Sequence, residues 1–401
     1  MTSTPLSKPA RRIDSVDGLR ALACLAVLIY HCFGHAGEPV WRVHIPVLNI
    51  NPSLLRPIQF CSYGVSLFLI LSGFCVFYSY AAPGRDGDFS TRAFLTRRFW
   101  RIAPAYYATV ILGLIRFPIF HWLSNHTSIH FPTDGEFPTV ASLSLHVILM
   151  HTLTFPAAFD IFGVFWSLGL EWQFYLMFPF MRWSFWRNGP WLTIAMLLVI
   201  TLIYRAVLTA ILKDKDSMVR WTFISGNVPG RAVDFGLGML AAWQFRRDQL
   251  QRWSGMRTVG YTFLFSIFLG LGVRIWPFTV FHDLMWAMAC YHLLCAAIAG
   301  VGGLRHILSL PALRWIGERS YSVYLLHYFV LLLVYPIVVR WAHGIALFVW
   351  LVVMVTPLSL VAASFWYRLF EKPYFNRASS TTAKSSTAKP TVTSEKIRGA
   401  V

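Results

Sequence analysis

Charge is scarce in this chain. Of its 401 residues only 13% are Asp, Glu, Lys or Arg, against about 25% in an ordinary soluble domain. Acidic groups are the rarer kind, 17 against 35 Lys and Arg. So few charges cannot cover a water-facing surface of this size. The 56% of hydrophobic residues, the 33 Phe and 17 Trp, and a mean hydropathy of +0.55 place most of the chain in lipid. The six cysteines (24, 32, 61, 75, 290 and 295) lie in or beside apolar stretches. None has metal-ligand spacing, and they do not read as a disulfide framework. There is no Gly-x-Ser-x-Gly elbow, no His-Glu-x-x-His site, and no His five positions ahead of an Asp. A serine hydrolase, a zinc enzyme and the usual glycerolipid-acyltransferase pattern are therefore not expected, nor is a metal. The formal charge of +18 falls in alternate loops, and no basic, aromatic-interleaved soluble face exists to bind nucleic acid.

What is present is a series of apolar stretches of about 17–25 residues, each long enough to cross a bilayer. Ten spans are read at 16–36, 58–80, 102–120, 164–181, 191–212, 228–245, 258–275, 281–303, 320–339 and 344–368. With the N-terminus inside, 25 of the 35 Lys and Arg fall on the cytoplasmic side. That asymmetry orients the chain with both termini cytoplasmic. The expected fold is an all-α polytopic integral membrane protein. Arg11 and Arg12 ahead of an apolar run could mark a signal peptide. Asp17 and Arg20 at the head of the run, and the lack of a small-x-small cleavage site, favour an uncleaved first span.

Residues 139–157 are apolar but short, and His146 and His151 interrupt them. They read as a re-entrant or interfacial helix inside a long outer loop, about 121–163. Residues 1–377 form one membrane domain. Residues 378–401, polar and rich in Ser, Thr and Lys, read as a disordered cytoplasmic tail.

Three constellations could carry chemistry. Arg20 and His31 share the first span, about 16 Å apart along a helix. Ionisable groups at membrane depth are costly and by default face a cavity. Arg97, Arg98 and Arg101 share a helix surface at the cytoplasmic mouth of the third span. Guanidinium forks at this spacing suit the phosphates of a nucleotide-type ligand; the plain alternative is positive-inside anchoring. Glu171, in Trp166-Ser167-Leu168-Gly169-Leu170-Glu171-Trp172-Gln173-Phe174-Tyr175, is expected at the same depth as His31, as its orienter or as half of an acid/base pair. Taken alone, a buried His is more often a helix–helix contact.

Other features read as structural. Arg231 and Asp234, three apart, neutralise each other. Gly236-x-Gly238-x-x-Ala241 mimics a dinucleotide fingerprint, but inside an apolar helix it reads as close helix packing. His327, two turns into the ninth span, could be a structural contact or a cavity residue.

In order along the chain, these motifs resemble the acyltransferase-3 family of polytopic membrane O-acyltransferases. The resemblance rests on Asp17-Gly18-Leu19-Arg20 with His31, Ser72-Gly73-Phe74, Arg98-x-x-Arg101, Trp166-Ser167-Leu168 with Glu171 and Gln173-Phe174-Tyr175, Gly317 through His327, and Glu371-Lys372-Pro373. Trp172 stands where the family often has a second carboxylate. Members with a fused extracytoplasmic domain are longer, so a standalone membrane domain is expected.

The resemblance implies transfer of an acyl group, usually acetyl, from cytoplasmic acyl-CoA to a hydroxyl of a carbohydrate or glycoconjugate. A bacterial inner-membrane location and partners in glycan assembly follow as expectations. Arg20, Arg97, Arg98 and Arg101 would hold the coenzyme. His31 would act as general base with Glu171 positioning it or the acceptor, a covalent acyl-histidine relay being a variant. A secondary transporter of a sugar or lipid-linked glycan is the alternative, although the two halves show no convincing repeat.

Overall fold

The computed structural model describes residues 13–44, 53–82, 89–132, 137–250, 260 and 279–374. Among them the protein is all-helical, with a single isolated bridge between Arg42 and Ser53. The helices are α1 Asp14–His35, α2 Gly64–Tyr78, α3 Thr91–His126, α4 Val140–Val147, α5 Phe155–Phe159, α6 Trp166–Arg187 and α7 Pro190–Ile211. They continue with α8 Ser217–Ser225, α9 Val228–Phe245, α10 Thr279–Ala299, α11 Leu304–Leu308, α12 Pro311–Glu318, α13 Ser320–Val338 and α14 Gly344–Trp366. A 3₁₀ turn, Arg56–Tyr63, leads into α2, and a π-turn, Tyr367–Glu371, ends α14.

Seven of the described helical stretches are long and apolar enough to cross a membrane. Nine of the ten expected spans coincide with helices, counting α6 and α9. The remaining one, at 258–275, lies outside the described residues apart from residue 260, and the expected tail and Arg11 and Arg12 lie outside them altogether. Contacts fix which ends lie together. Asp14 pairs with Arg314 at 3.3 Å, and the Tyr374 hydroxyl donates to the Arg97 carbonyl at 3.0 Å. The first and last described helices therefore meet the same end of the bundle, here the Arg20 end. Arg247, just past α9, donates to the Ala81 carbonyl beyond the end of α2. The Tyr63 ring, at the start of α2, packs on His282 near the start of α10.

Local signals set the helix ends. Ser90 caps α3 by accepting from the Ala93 amide, and Asp216 caps α8 by accepting from the Met218 amide. Gly189 turns the chain at φ 82°, with Pro190 opening α7 behind it. At 36 residues α3 is about 54 Å long, well beyond the ~30 Å hydrocarbon layer, so its arginine-bearing first turns extend past the apolar zone.

Small residues bring the backbones together. A Cβ at Gly238 would stand 1.9 Å from the Ile70 carbonyl oxygen, and one at Gly73 would stand 2.1 Å from that of Phe235. Helices α2 and α9 are thus in backbone contact. This is the packing role expected of Gly238, and it excludes any phosphate at that position. Gly18 and Gly317 do the same where α1 meets α11 and α12.

The segment ahead of α6 does not cross the bundle. Helices α4 and α5 have 8 and 5 residues, about 12 and 8 Å long. It folds back into the protein, with Ala157, Ala158, Ile161, Phe162, Val164 and Phe165 buried. Helix α6 therefore begins deep inside, where the hydroxyls of Ser167 and Tyr324 are 2.5 Å apart, a turn into α13. The re-entrant reading of 139–157 fits this geometry.

Candidate active site

A cavity at the Arg20 end of the bundle gathers four of the six expected site residues. Arg20 of α1, Arg98 and Arg101 of α3, and Glu171 of α6 all line it. Helix α3 presents its two arginines together because residues three apart share a face. Arg98 is held over the rings of Phe94 and Tyr175, 5.6 and 5.5 Å from their centroids. Arg20 lies 3.5 Å from Asp17 one turn below it, and its other terminal nitrogen lies 3.5 Å from Cys75 Sγ. Three guanidinium groups face a single lining carboxylate, so the cavity favours an anionic ligand.

Glu171 Oε1 accepts from the Ser72 hydroxyl at 2.8 Å and from the Tyr175 hydroxyl at 2.6 Å. Two sequence motifs almost a hundred residues apart thereby close into one hydrogen-bonded unit. Glu371, brought inward by the π-turn, accepts from Ser322 and is an electrostatic neighbour of Arg101 and Arg20. Arg97 departs from the expected set. About 100° around the helix from Arg98, it does not line the cavity, is exposed, and donates to the Tyr80 hydroxyl at 3.2 Å.

His31 does not stand beside Glu171. The expectation of equal depth fails because α6 starts in mid-bundle. Five residues in, Glu171 has reached the level of Arg20, eleven residues along α1 from His31. The His31 ring instead meets His327 at a centroid distance of 5.4 Å and Tyr328, edge-on, at 5.2 Å. His327 is fully buried, and its Nδ1 lies 2.8 Å from the Tyr324 carbonyl. A carbonyl can only accept, so Nδ1 carries the proton and Nε2 keeps its lone pair. That Nε2 has no hydrogen-bond partner among the described residues.

Tyr324 lines the arginine cavity, and its ring centroid is 5.6 Å from that of His327. Tyr328 lines a second cavity toward the His35 end. The two histidines thus lie between the two cavities.

Two further clusters carried no weight in the sequence reading. In the first, the Arg231–Asp234 pair is present at 3.4 Å, but Arg231 also reaches Asp283 at 3.7 Å. Asp283 accepts in addition from Arg205, Ser225 and Tyr63. Two arginines and two aspartates neutralise one another inside the bundle. The signal was present in the sequence: Arg205 and Asp283 are charges within apolar spans.

The second cluster holds the re-entrant segment. His151 Nε2 lies 2.7 Å from the Phe165 carbonyl and so donates to it, leaving Nδ1 to accept from Tyr106 at 3.3 Å. Tyr106 then accepts from His146 Nδ1 at 2.8 Å, and the far side of His146 meets Asp160 Oδ1 at 2.9 Å. With its Nδ1 proton committed to Tyr106, His146 binds Asp160 through a second proton held between Nε2 and the carboxylate. Burial, then the neighbouring His146, lowers the His151 pKa to about 3, so its imidazole is neutral. Among the described residues no group of three or more His, Cys, Asp or Glu could hold a metal ion.

Comparison with known proteins shows the family. A family model described as an acyltransferase domain matches residues 13–364. The chain is 25% identical over 387 residues to the peptidoglycan O-acetyltransferase OatA of Listeria monocytogenes, covering 90% of this chain and 55% of OatA. YrhL of Bacillus subtilis is 25% identical over 380 residues, with the same two coverages. The acyltransferase MdmB of Streptomyces mycarofaciens is 27% identical over 331 residues, covering 80% of this chain and 79% of MdmB. The chain spans about half the length of OatA and YrhL. No solved structure matches it.

Proposed function

From the premise that this chain belongs to the acyltransferase-3 family, we propose that it is a membrane O-acyltransferase. It takes an acyl group, most simply acetyl, from acyl-CoA at the cytoplasmic face. It passes that group to a hydroxyl of a carbohydrate or glycoconjugate of the cell envelope. The Arg20 end of the bundle is the cytoplasmic end, because the loops there carry most of the arginines. The setting is a bacterial cytoplasmic membrane.

Arg20, Arg98 and Arg101 hold the phosphates of the coenzyme, and Arg97 steers the anion from the rim. Glu171, fixed by Ser72 and Tyr175, positions these arginines and does not touch His31. The thioester reaches up the cavity toward the histidines.

His31 removes the proton from the acceptor hydroxyl as its oxygen attacks the thioester carbonyl. The carbon–oxygen bond of the ester forms and the carbon–sulfur bond breaks. The leaving thiolate takes the proton from the His31 imidazolium, so the coenzyme departs as a thiol. His327 is a positioning residue: its Nε2, without a hydrogen-bond partner among the described residues, would accept from the His31 ring during turnover and so turn the opposite nitrogen toward the acceptor.

The observation that carries this reading is the position of His31 and His327 between an arginine-lined cavity and a second, outward pocket. The test is calorimetric binding of acetyl-CoA to the purified full chain. Micromolar binding that weakens at least tenfold in Arg98→Ala and Arg101→Ala is expected. A wild-type protein that binds no acyl-CoA would remove the enzyme reading and bring the transporter forward.

A further inference from the structure

The second cavity lies between the re-entrant segment and Tyr328 of α13. It holds about 1220 Å³ of empty space with its open mouth included. A water molecule occupies roughly 30 Å³, so the space is of ligand size.

Two chemistries meet on its walls. Phe137, Phe155 and Phe159 line it with aromatic rings, the last two 5.6 Å apart and inclined at 55°. Beside them stand the oxygens of Asp160 and Ser142. Asp160 is fixed in place: Oδ1 binds His146 at 2.9 Å and accepts from the Ile161 amide at 2.8 Å, while Oδ2 accepts from Ser142. A carboxylate has about four acceptor positions. Three are in use, which leaves room for one more donor. No Lys or Arg lines the cavity.

We propose that this pocket is the acceptor subsite and binds a sugar unit of the acceptor. The proposal rests on reading the arginine cavity as the donor site. A pyranose has a flat C–H face and a rim of hydroxyl donors. The face stacks on a phenyl ring and the rim finds an oriented carboxylate.

Other occupants fit less well. An acyl chain gains nothing from a fixed carboxylate and loses by desolvating it. A phosphate group is repelled by Asp160 and finds no lining cation. The pocket also touches the transfer centre, because Tyr328 forms part of its wall and meets the His31 ring edge-on. A sugar seated on the phenylalanines would therefore share the Tyr328 side chain with the proposed base.

The test uses full-length Phe155→Leu, Phe159→Leu and Phe159→Trp with two readouts. One is transfer of label from [14C]acetyl-CoA to the endogenous carbohydrate of native membranes. The other is acceptor-independent hydrolysis of acetyl-CoA by the purified protein. Both leucine variants should lose transfer at least tenfold, with hydrolysis within twofold of wild type. Phe159→Trp, which keeps a ring face, should retain transfer. Leucine variants that transfer normally would overturn the proposal. So would a loss of both activities together, or a tryptophan variant as defective as the leucine. Absence of any turnover in the wild type would instead contradict the donor reading.

Discussion

The imidazoles of His31 and His327 lie with centroids 5.4 Å apart and ring planes inclined at 40°. Their helices are the first and the last but one of those described, and the pair is flanked by Tyr324, which lines the arginine cavity, and Tyr328, which lines the aromatic pocket. His327 donates from Nδ1 to its own helix, so only Nε2 can serve a neighbour. A base that must shed and regain a proton each turnover needs its ring orientation and tautomer set.

His327→Phe should lower transfer about 100-fold, the lower end of what general-base catalysis contributes. Acetyl-CoA affinity should stay unchanged. His327→Gln, which keeps an acceptor, should recover part of the rate. The pH profile of transfer separates positioning from packing: the limb belonging to His31 should move in His327→Phe. Normal transfer in that variant would dismiss the pairing.

Glu171 is tied to the donor side by its bonds to Ser72 and Tyr175. Glu171→Gln should depress acetyl-CoA hydrolysis and carbohydrate transfer in the same proportion, by about tenfold or more. Ser72→Ala removes one bond to a charged group, worth roughly 1.5–3 kcal/mol, and should act the same way. If Glu171→Gln lost transfer while hydrolysing normally, the carboxylate would belong with His31 after all.

The α2–α9 contact predicts a contrast between two glycines of one motif. A Cβ at Gly238 meets backbone, the Ile70 carbonyl, and Gly238→Ala should cost about 1–3 kcal/mol or more. At Gly236 the nearest atom is Leu197 Cδ1, the end of a flexible side chain, so Gly236→Ala should cost less. Melting temperatures in one detergent measure both.

His151 makes the re-entrant segment acid-sensitive. Its folded pKa, about 3, is below the unfolded value near 6.5. The stabilisation from keeping it neutral is whole above pH 6.5 and falls as pH drops toward 3, by at most about 1.4 kcal/mol per pH unit. Between pH 7.5 and 5 the wild type should lose melting temperature. His151→Gln, which can still donate to Phe165 and accept from Tyr106, should lose less.

Much of the architecture was legible because apolar length and loop charge are one-dimensional signals. They located nine helices, and the three-residue spacing of Arg98 and Arg101 put both on one cavity wall. Depth was not legible at Glu171, since counting from a loop assumes that a helix starts at the membrane surface. Helix α6 starts inside, behind a segment anchored by His146 and His151. Nor could the sequence pair His31 with His327, or Arg205 with Asp283, because such contacts between distant helices follow from packing rather than spacing.

The most direct measurement follows label from [14C]acetyl-CoA in wild type, Arg98→Ala and His31→Ala, scoring donor binding and transfer to carbohydrate in one preparation. Arg98→Ala should bind the donor at least tenfold more weakly. His31→Ala should bind it normally and transfer nothing. A His31→Ala protein that transfers at a near wild-type rate would contradict the central claim that the histidine between the two cavities is the base.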